Sequence, residues 1–435
     1  MMKTKNKLGL IFFPAFDWAI SPTHPERQER LLYTQDQLVE EGIFDMDGVH
    51  EFKPDIATIE DVSRTHFCFP DVPSVITESH LISAGGAIKA ARLVLEKKVE
   101  KAFALVRPPG HHAMKVVHGA RGFCNVNIEA IMIEHVREHY GHRRVAIVDT
   151  DCHHGDGSQD IYWNDPDTLY ISIHQDGRTL YPGSGFIDET GGPNAIGRTV
   201  NIPLPPETSD EGFLYALEHV IMPILEDFKP ELVVNSAGQD NHYTDPITNM
   251  RFSAQGYARL NEILNPDIAV LEGGYSIQGA LPYVNLGIVL AMAGIDYSKV
   301  REPDYSENAM RQDPAITQYI KKLSKAVLDG YRQARDQDRF MPGNYFVRKK
   351  QIYYDTDGIR ENQVESVMVC RECGGVLKIE SISSANPLCL GVEIPITACE
   401  RCRDEGNRIY REGVEKKKYA HIQLINRRDK EYRTA

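Results

Sequence analysis

The segment Val145-Ala146-Ile147-Val148-Asp149-Thr150-Asp151-Cys152-His153-His154-Gly155-Asp156-Gly157 decides how the chain reads. It opens with four apolar residues on successive positions, the pattern of a strand buried on both faces of a parallel sheet. It then changes abruptly to acids, histidines and glycines. In an extended strand end, side chains at i and i+2 point the same way, so Asp149, Asp151 and His153 are expected on one face. Asp and His two residues apart are a good pair of ligands for a borderline cation such as zinc. The plain alternative is a polar turn capping a helix that begins near Ser158.

Similar runs lie on either side. Leu8–Phe13, Ala102–Val106, Leu169–Ile173, Thr199–Ile202, Leu232–Asn235 and Ile268–Leu271 read as further buried strands. Glu26–Glu41, Ser79–Lys97, Ile128–Tyr140, Asp210–Phe228, Ala254–Ile263 and Ile277–Ala293 have amphipathic helical spacing. Alternating elements of these lengths imply an α/β sandwich, in which ligands bind at the carboxyl ends of the strands. Three more polar motifs sit at such ends: Arg107-Pro108-Pro109-Gly110-His111-His112-Ala113, Ser236-Ala237-Gly238-Gln239-Asp240 and Leu271-Glu272-Gly273-Gly274-Tyr275. Each alone is compatible with an ordinary turn between strand and helix. Together the four motifs supply two carboxylates and a histidine for a metal, two further histidines for proton transfer, and a tyrosine hydroxyl. A catalytic zinc needs three protein ligands and an open position, a base beside the attacking water, and a donor facing the oxyanion.

The 435 residues are 42% hydrophobic and 26% charged, which argues against wholesale disorder and against a coiled coil. No run approaches ~18 apolar residues, so no membrane span is expected. The basic start Met1 to Lys7 is followed by an apolar run too short for a signal peptide, and the chain reads as soluble and cytoplasmic. A net charge of −13 disfavours strong nucleic-acid binding. The acidity is confined to the first 345 residues (−16), whereas Phe346–Ala435 carries 17 basic and 14 acidic residues. An acidic body favours cationic partners or substrates at long range.

A helical pattern over Arg301–Arg339 ends at Met341-Pro342-Gly343, where charge and cysteine usage change. The domain boundary is placed there, giving a body over 1–343 and a small domain over 344–435. Cys370-Arg371-Glu372-Cys373 and Cys399-Glu400-Arg401-Cys402 form two Cys-x-x-Cys pairs separated by 25 residues. Four thiolates in two tight turns make a closed tetrahedral site, hence a structural zinc in a zinc-ribbon-like domain. Cys389 is left over, buried or free. The clusters Arg348-Lys349-Lys350, Lys416-Lys417-Lys418 and Arg427-Arg428 solvate a surface or dock to an acidic partner, including the acidic body of another subunit in a homo-oligomer.

Over roughly residues 8 to 340 the motifs, in order, resemble those of the histone deacetylase superfamily, the acetoin-utilisation and acetylpolyamine amidohydrolase group. They are His24-Pro25-Glu26, Arg107 to Ala113, Gly122-Phe123-Cys124, Asp149 to Gly157, Tyr181-Pro182-Gly183-Ser184-Gly185, Ser236 to Asp240 with Asp245-Pro246, and Leu271 to Tyr275. The Leu-Glu-Gly-Gly-Tyr form is similar to the class II branch. The resemblance implies an arginase/deacetylase-like three-layer α/β/α sandwich with a mostly parallel sheet. It matches Asp151, His153 and Asp240 to the catalytic zinc ligands, His112 to the general base and His111 to its neighbour. Asp149 matches the partner of His111, Asp156 the partner of His112, and Tyr275 the hydroxyl that polarises the substrate carbonyl. Phe123 and Tyr181 match the aromatic walls of an acyl-lysine channel, Asp71 the rim aspartate, Ile247 a gatekeeper, and Arg30 the arginine behind the site. Asp149, Asp151 and Ser172 match an inner monovalent-cation site suited to K⁺.

Some positions depart from the family pattern. Gln239 stands where class II relatives have Phe, and His242 where a small residue is usual; His242 is expected as a wall or solvent-facing histidine. The loop Met114–Arg121 is about two residues longer than usual and is expected to bring Lys115, His118 and Arg121 to the channel mouth. Ile247 lacks the carboxylate that attracts polyamines in one branch. The reading is a zinc-dependent amidohydrolase that releases acetate from an acetylated amine, first of all acetyl-lysine in a protein or peptide. The alternatives are an acetylpolyamine or other small-amide hydrolase and, from other classes, a non-catalytic acyl-lysine-binding scaffold or a binuclear manganese ureohydrolase. Because the body holds every catalytic part, the tail is expected to be separable from it.

Overall fold

The computed structural model describes residues 3–308, 310–335 and 341–435. Eight strands form one sheet in the order Asp47–Phe52, Lys3–Phe13, Lys101–Val106, Ile268–Val270, Leu232–Ser236, Val145–Asp149, Thr168–Gln175, Thr199–Leu204. Every pairing is parallel. Successive residues of a strand feed opposite layers. Phe103, Leu105, Ala146 and Val148 pack with the helices Leu32–Glu40, Ala254–Leu264, Leu281–Ala293 and Pro314–Arg335. Ala102, Ala104, Val145 and Ile147 pack with Glu78–Leu95 and Ile128–Tyr140. The result is an arginase/deacetylase-like α/β/α sandwich, and all seven strands expected from sequence are present. Asp47–Phe52, an edge strand with one buried residue, carries no apolar pattern. The helical pattern over Arg301–Arg339 yields a helix from Pro314 to Arg335, and its end lies outside the described residues. Among the described residues no helix is long and apolar enough to cross a membrane.

The second sheet has six strands in chain order: Tyr345–Tyr354, Ile359–Met368, Leu377–Ser383, Cys389–Ile394, His421–Asn426 and Glu431–Thr434. Only Cys389–Ile394 and His421–Asn426 pair in parallel, which requires a crossover. The helix Glu400–Lys416 supplies it and covers one face with Ile409 and Tyr410 against Leu390, Val392 and Leu424. The four-cysteine cluster fits a zinc ribbon, and the sheet around it is larger than the cysteine spacing announces.

The other face of this sheet is buried on the body. Phe67, Phe69 and Val116 pack with Val367, Leu377, Ile379 and Cys389. A Cβ on Gly391 would meet the Phe67 ring at 2.9 Å, so glycine lets the sheet lie flush. Buried charges complete the contact: Arg427 lies 2.9 Å from Glu134, and Lys115 meets Glu393. Arg348 and Lys350 meet Asp160, with Arg348 at 3.2 Å. The basic clusters therefore partly dock to the acidic body of their own chain. The expectation of a separable tail meets a tail with one of its two faces packed on Phe67, Phe69 and Val116 of the body.

Candidate active site and metal centres

The strand Val145–Asp149 ends at Asp149, and the chain then bends through residues 150–155. The three side chains expected on one face are consequently divided. Asp149 turns toward His111, whose Nδ1 lies 3.1 Å from Asp149 Oδ2, and toward the Tyr170 hydroxyl, which donates at 2.9 Å. Asp151 and His153 instead meet Asp240 from the neighbouring strand end. The ligand atoms of Asp151, His153 and Asp240 lie within 4.8 Å of one another, and all three side chains are buried. His153 Nδ1 sits 2.8 Å from Asp240 Oδ2 and 3.2 Å from Asp151 Oδ1.

This donor set fits a divalent cation. Two buried carboxylates meet one imidazole, with no Lys or Arg among the described residues ion-paired to either acid. Glycines make room for it: a Cβ at Gly238 or Gly273 would come within 2.0 or 2.6 Å of Asp151 Oδ2. The Gly273 N–H donates to that same oxygen at 2.7 Å, the kind of outer contact that orients a metal ligand.

The tandem histidines lie beside this cluster. Their ring centroids are 4.1 Å apart, and His112 Nδ1 lies 2.9 Å from Asp156 Oδ1. The environment splits the pair. Burial opposes charge on His111, but Asp151, Asp149 and Glu272 outweigh it and raise its pKa well above the ordinary value. Burial, reinforced by His111, lowers His112 to about 3. His112 is therefore the neutral member, free to accept a proton. Tyr275 lies almost wholly buried, its ring 5.6 Å from Phe123. Its backbone N–H donates to Asp245 Oδ2 at 2.8 Å. Tyr181 lies edge-on to His112 at 5.1 Å, so Phe123 and Tyr181 flank the approach. Ser172 pairs with Asp149 across neighbouring strands, and Ile247 is half-buried beside Asp245.

Sequence reasoning missed the carboxylates that hold these loops. Glu272 Oε2 accepts from the N–H groups of Gly110 and His111 at 2.7 and 3.0 Å, fixing the tandem-histidine turn. Burial raises its pKa to about 7. Glu26 receives Arg30 and Arg107, each at 2.7 Å, all three fully buried. Arg30 also donates to the Gly274 carbonyl at 2.7 Å and lies over the Tyr275 ring, behind the site as expected. The acidic residues of His24-Pro25-Glu26 and Leu271-Glu272 were visible signals; their partners were not.

Several expectations need correction. Asp71, matched to a rim aspartate, is exposed. Its Oδ1 accepts from the Ser74 N–H at 3.0 Å, and it borders a groove with Gln423 and Tyr432 of the second sheet. His242 is fully buried, 3.2 Å from Glu302, and is neither wall nor solvent-facing. Gln239 turns away to Asn285. Of the long loop, Lys115 and His118 are drawn into the second sheet, on Glu393 and Ser381, and only Arg121 reaches the site. Its Nε and Nη2 donate to Asp156 Oδ2 at 3.0 and 2.6 Å.

The four thiols of Cys370, Cys373, Cys399 and Cys402 also lie within 4.8 Å of one another, and none is in a disulfide. The N–H groups of Glu372 and Gly375 donate to Cys370 and Cys373 sulfurs at 3.4 Å. Gly375 has φ +76, and a Cβ there would strike the Met368 carbonyl, so this knuckle requires glycine. Asn194 of the body clamps it, accepting from the Cys370 N–H and donating to the Met368 and Gly374 carbonyls. Cys389 is buried against the body. A third cluster, Asp61, His135 and His139, has its carboxylate already taken by Arg64 and Thr58.

A parallel α/β/α sandwich with a buried Asp-His-Asp set and carboxylate-backed histidines at its strand ends defines a hydrolase of the deacetylase type. The comparisons agree. A family model described as the histone deacetylase domain matches residues 70–286. A "Probable deacetylase" of Archaeoglobus fulgidus is 47% identical over 311 residues, 65% of this chain and 85% of that protein. An "Acetylpolyamine amidohydrolase" of Burkholderia pseudomallei is 39% identical over 201 residues, 45% of this chain and 57% of that one. The crystal structure of the HDA15 HD domain, 24% identical, shares the fold with a TM-score of 0.63, covering 76% of this chain and 99% of that one. The chain belongs to the histone deacetylase superfamily and is a deacetylase or amidohydrolase of that family.

Proposed function

We propose that the protein is a zinc-dependent deacetylase that hydrolyses the amide of an acetylated amine, first of all acetyl-lysine in a protein or peptide, to acetate and free amine. The observation that carries this is the placement of His112, held by Asp156 and edge-on to Tyr181 beside the Asp151–His153–Asp240 cluster. Asp151, His153 and Asp240 would hold the catalytic zinc, and Cys370, Cys373, Cys399 and Cys402 a structural one. Zinc in the first site supplies Lewis acidity to the amide carbonyl and acidifies the attacking water. His112 accepts the water's proton through Nε2 while Asp156 holds Nδ1. The Tyr275 hydroxyl donates to the oxyanion as the carbonyl becomes tetrahedral. His112 then returns its proton to the departing amine, and acetate forms. His111 is paired with Asp149 beside His112. Phe123 and Tyr181 exclude water around the acyl-amine stem, with Ile247 near the entrance. Asp149, Asp151 and Ser172 would hold K⁺.

A second reading, an acetylated polyamine as substrate, is favoured by the acidic body and by the amidohydrolase relative from Burkholderia. One experiment tests both. The purified chain is assayed for turnover on acetyl-lysine peptides and acetylpolyamines, before and after chelation and with zinc restored. Release of acetate that is lost on chelation and recovered with zinc is expected, fastest on the peptide. No release from any acyl amide refutes the proposal, and release from polyamines alone replaces the first substrate with the second.

A further inference from the structure

The two strands Tyr345–Tyr354 and Ile359–Met368 are joined by a tight turn, and that turn lies on the loop bearing one channel wall. The Ala120 N–H donates to Asp357 Oδ2 at 2.6 Å, and Arg121 Nη1 donates to the Tyr353 carbonyl at 2.6 Å. The Gly122 N–H donates to Asp355 Oδ1 at 3.0 Å. The Tyr181 hydroxyl, from the opposite wall, donates to the same oxygen at 3.1 Å. One carboxylate oxygen, carried by the second sheet, thus ties both walls together. Among the described residues neither the Gly122 N–H nor the Tyr181 hydroxyl has another partner.

The tie leads to His112 by three routes. Gly122 lies flush on its ring, since a Cβ there would sit 2.5 Å from His112 Cδ2. Tyr181 packs edge-on at 5.1 Å. Arg121, held by the Tyr353 carbonyl, grips Asp156, whose other oxygen holds His112 Nδ1. The wall is also conformationally costly. Phe123 has φ +70, following Gly122 at φ +51. A non-glycine residue in that region persists only where its surroundings over-determine it, at a cost of about 1–3 kcal/mol. The hydrogen bond from Gly122 to Asp355 is part of that determination.

The geometry points to Asp355 as a positioning residue of the active site, which fixes Gly122–Phe123 and Tyr181 and through them the orientation of His112. The inference rests on the reading of His112 as the base. The role belongs to the oxygen as an acceptor and not to its charge, because one oxygen takes both bonds. It makes the second sheet part of the catalytic apparatus, with no contact to the substrate required.

The test uses the full chain and the variants Asp355→Ala and Asp355→Asn, with kcat and KM on an acetyl-lysine peptide, zinc content, and amide hydrogen exchange over residues 118–124. Asp355→Ala is expected to lower kcat by about 10–100-fold, the scale of a small misplacement of reacting groups. KM should stay within about 3-fold, both zincs should remain, and exchange at Gly122 should be faster. Asp355→Asn keeps an acceptor oxygen and should return kcat to within about 3-fold of wild type, with slow exchange restored. Asp355→Ser, too short to reach both donors, replaces the alanine variant if that one does not fold. Unchanged kcat and exchange in Asp355→Ala would overturn the proposal. So would an Asn variant as impaired as Ala, or a change confined to KM, either of which assigns the carboxylate a charge role toward the substrate. If the wild type turns over no acyl amide, the deacetylase reading fails by itself, and exchange at Gly122 still decides whether Asp355 holds the wall.

Discussion

The Asp151–His153–Asp240 cluster and the Cys370–Cys373–Cys399–Cys402 cluster gather their donor atoms within the same 4.8 Å by opposite means. The first stands on the ends of two adjacent parallel strands, Val145–Asp149 and Leu232–Ser236, and is walled by Gly238 and Gly273. Its ligands follow directly on strands of the sheet. The second stands on two short turns and the start of one helix, and two of its cysteines are only half-buried. There the ion has to supply the order that the sheet supplies elsewhere. The contrast teaches that the centre proposed as catalytic borrows rigidity from the fold, whereas the one proposed as structural would lend it.

Asp240→Ala gives the largest effect and tests the first half of the contrast. Activity should be abolished and zinc should fall from two per chain to one, with the far-ultraviolet circular dichroism unchanged. Loss of folded signal in that variant would show that the first site also lends rigidity. Tyr275→Phe comes next. It should keep both zincs and lower turnover about 10²–10³-fold, as for loss of one oxyanion donor; near-normal turnover would remove Tyr275 from the mechanism.

The double variant Cys373→Ser/Cys402→Ser tests the other half. It should lose one zinc, become protease-sensitive over residues 341–435, and lose at least about 10-fold in activity, because the second sheet is packed on the body. Full activity with one zinc would restore the tail as a separable appendage.

The smallest effect is on acid stability of the body. Burial lowers His66 and His80 each to about 4. His66 Nε2 accepts from the Asn127 N–H, and His80 Nδ1 closes the capping box on Thr77. Between pH 6.5 and 4 the unfolded chain binds protons that the fold excludes. Stability is therefore complete above pH 6.5 and is lost as pH falls toward 4, by up to about 3 kcal/mol per histidine. His80→Gln, which can still close the box, should show a smaller fall in Tm between pH 7 and 5 than wild type; an equal fall would exclude His80 from the acid sensitivity.

The body was legible in the sequence because seven of its eight strands contain apolar runs and its candidate ligands follow strand ends. The four-cysteine site was legible because its ligands are local. What escaped was held by single long-range contacts. Glu272 and Glu26 look like any acid in a turn, and only folding shows that they hold the Gly110–His111 amides and the Arg30–Arg107 pair. Asp71 suited a rim by resemblance, and its turn with Ser74 and its groove beside the second sheet were not legible. The strands of that sheet carry Arg348 and Lys350 on their body-facing side, where a core would carry apolar residues, so alternation did not reveal them. Asp355 has no sequence neighbour with any catalytic feature.

The turn over residues 353–357 also sets an order of events during synthesis. Ribosomes complete and fold chains from the N-terminal side at about 5–20 residues per second. Every residue proposed for proton transfer and for the first metal is made by Tyr275, yet Ala120, Arg121, Gly122 and Tyr181 find their partners only when Tyr353, Asp355 and Asp357 emerge, on the order of ten seconds later. A nascent body would thus carry its metal ligands and histidines before its channel mouth is drawn together. Maturation of the mouth would coincide with docking of the second sheet, so a chain interrupted between the two would lack the partners of Ala120, Arg121, Gly122 and Tyr181.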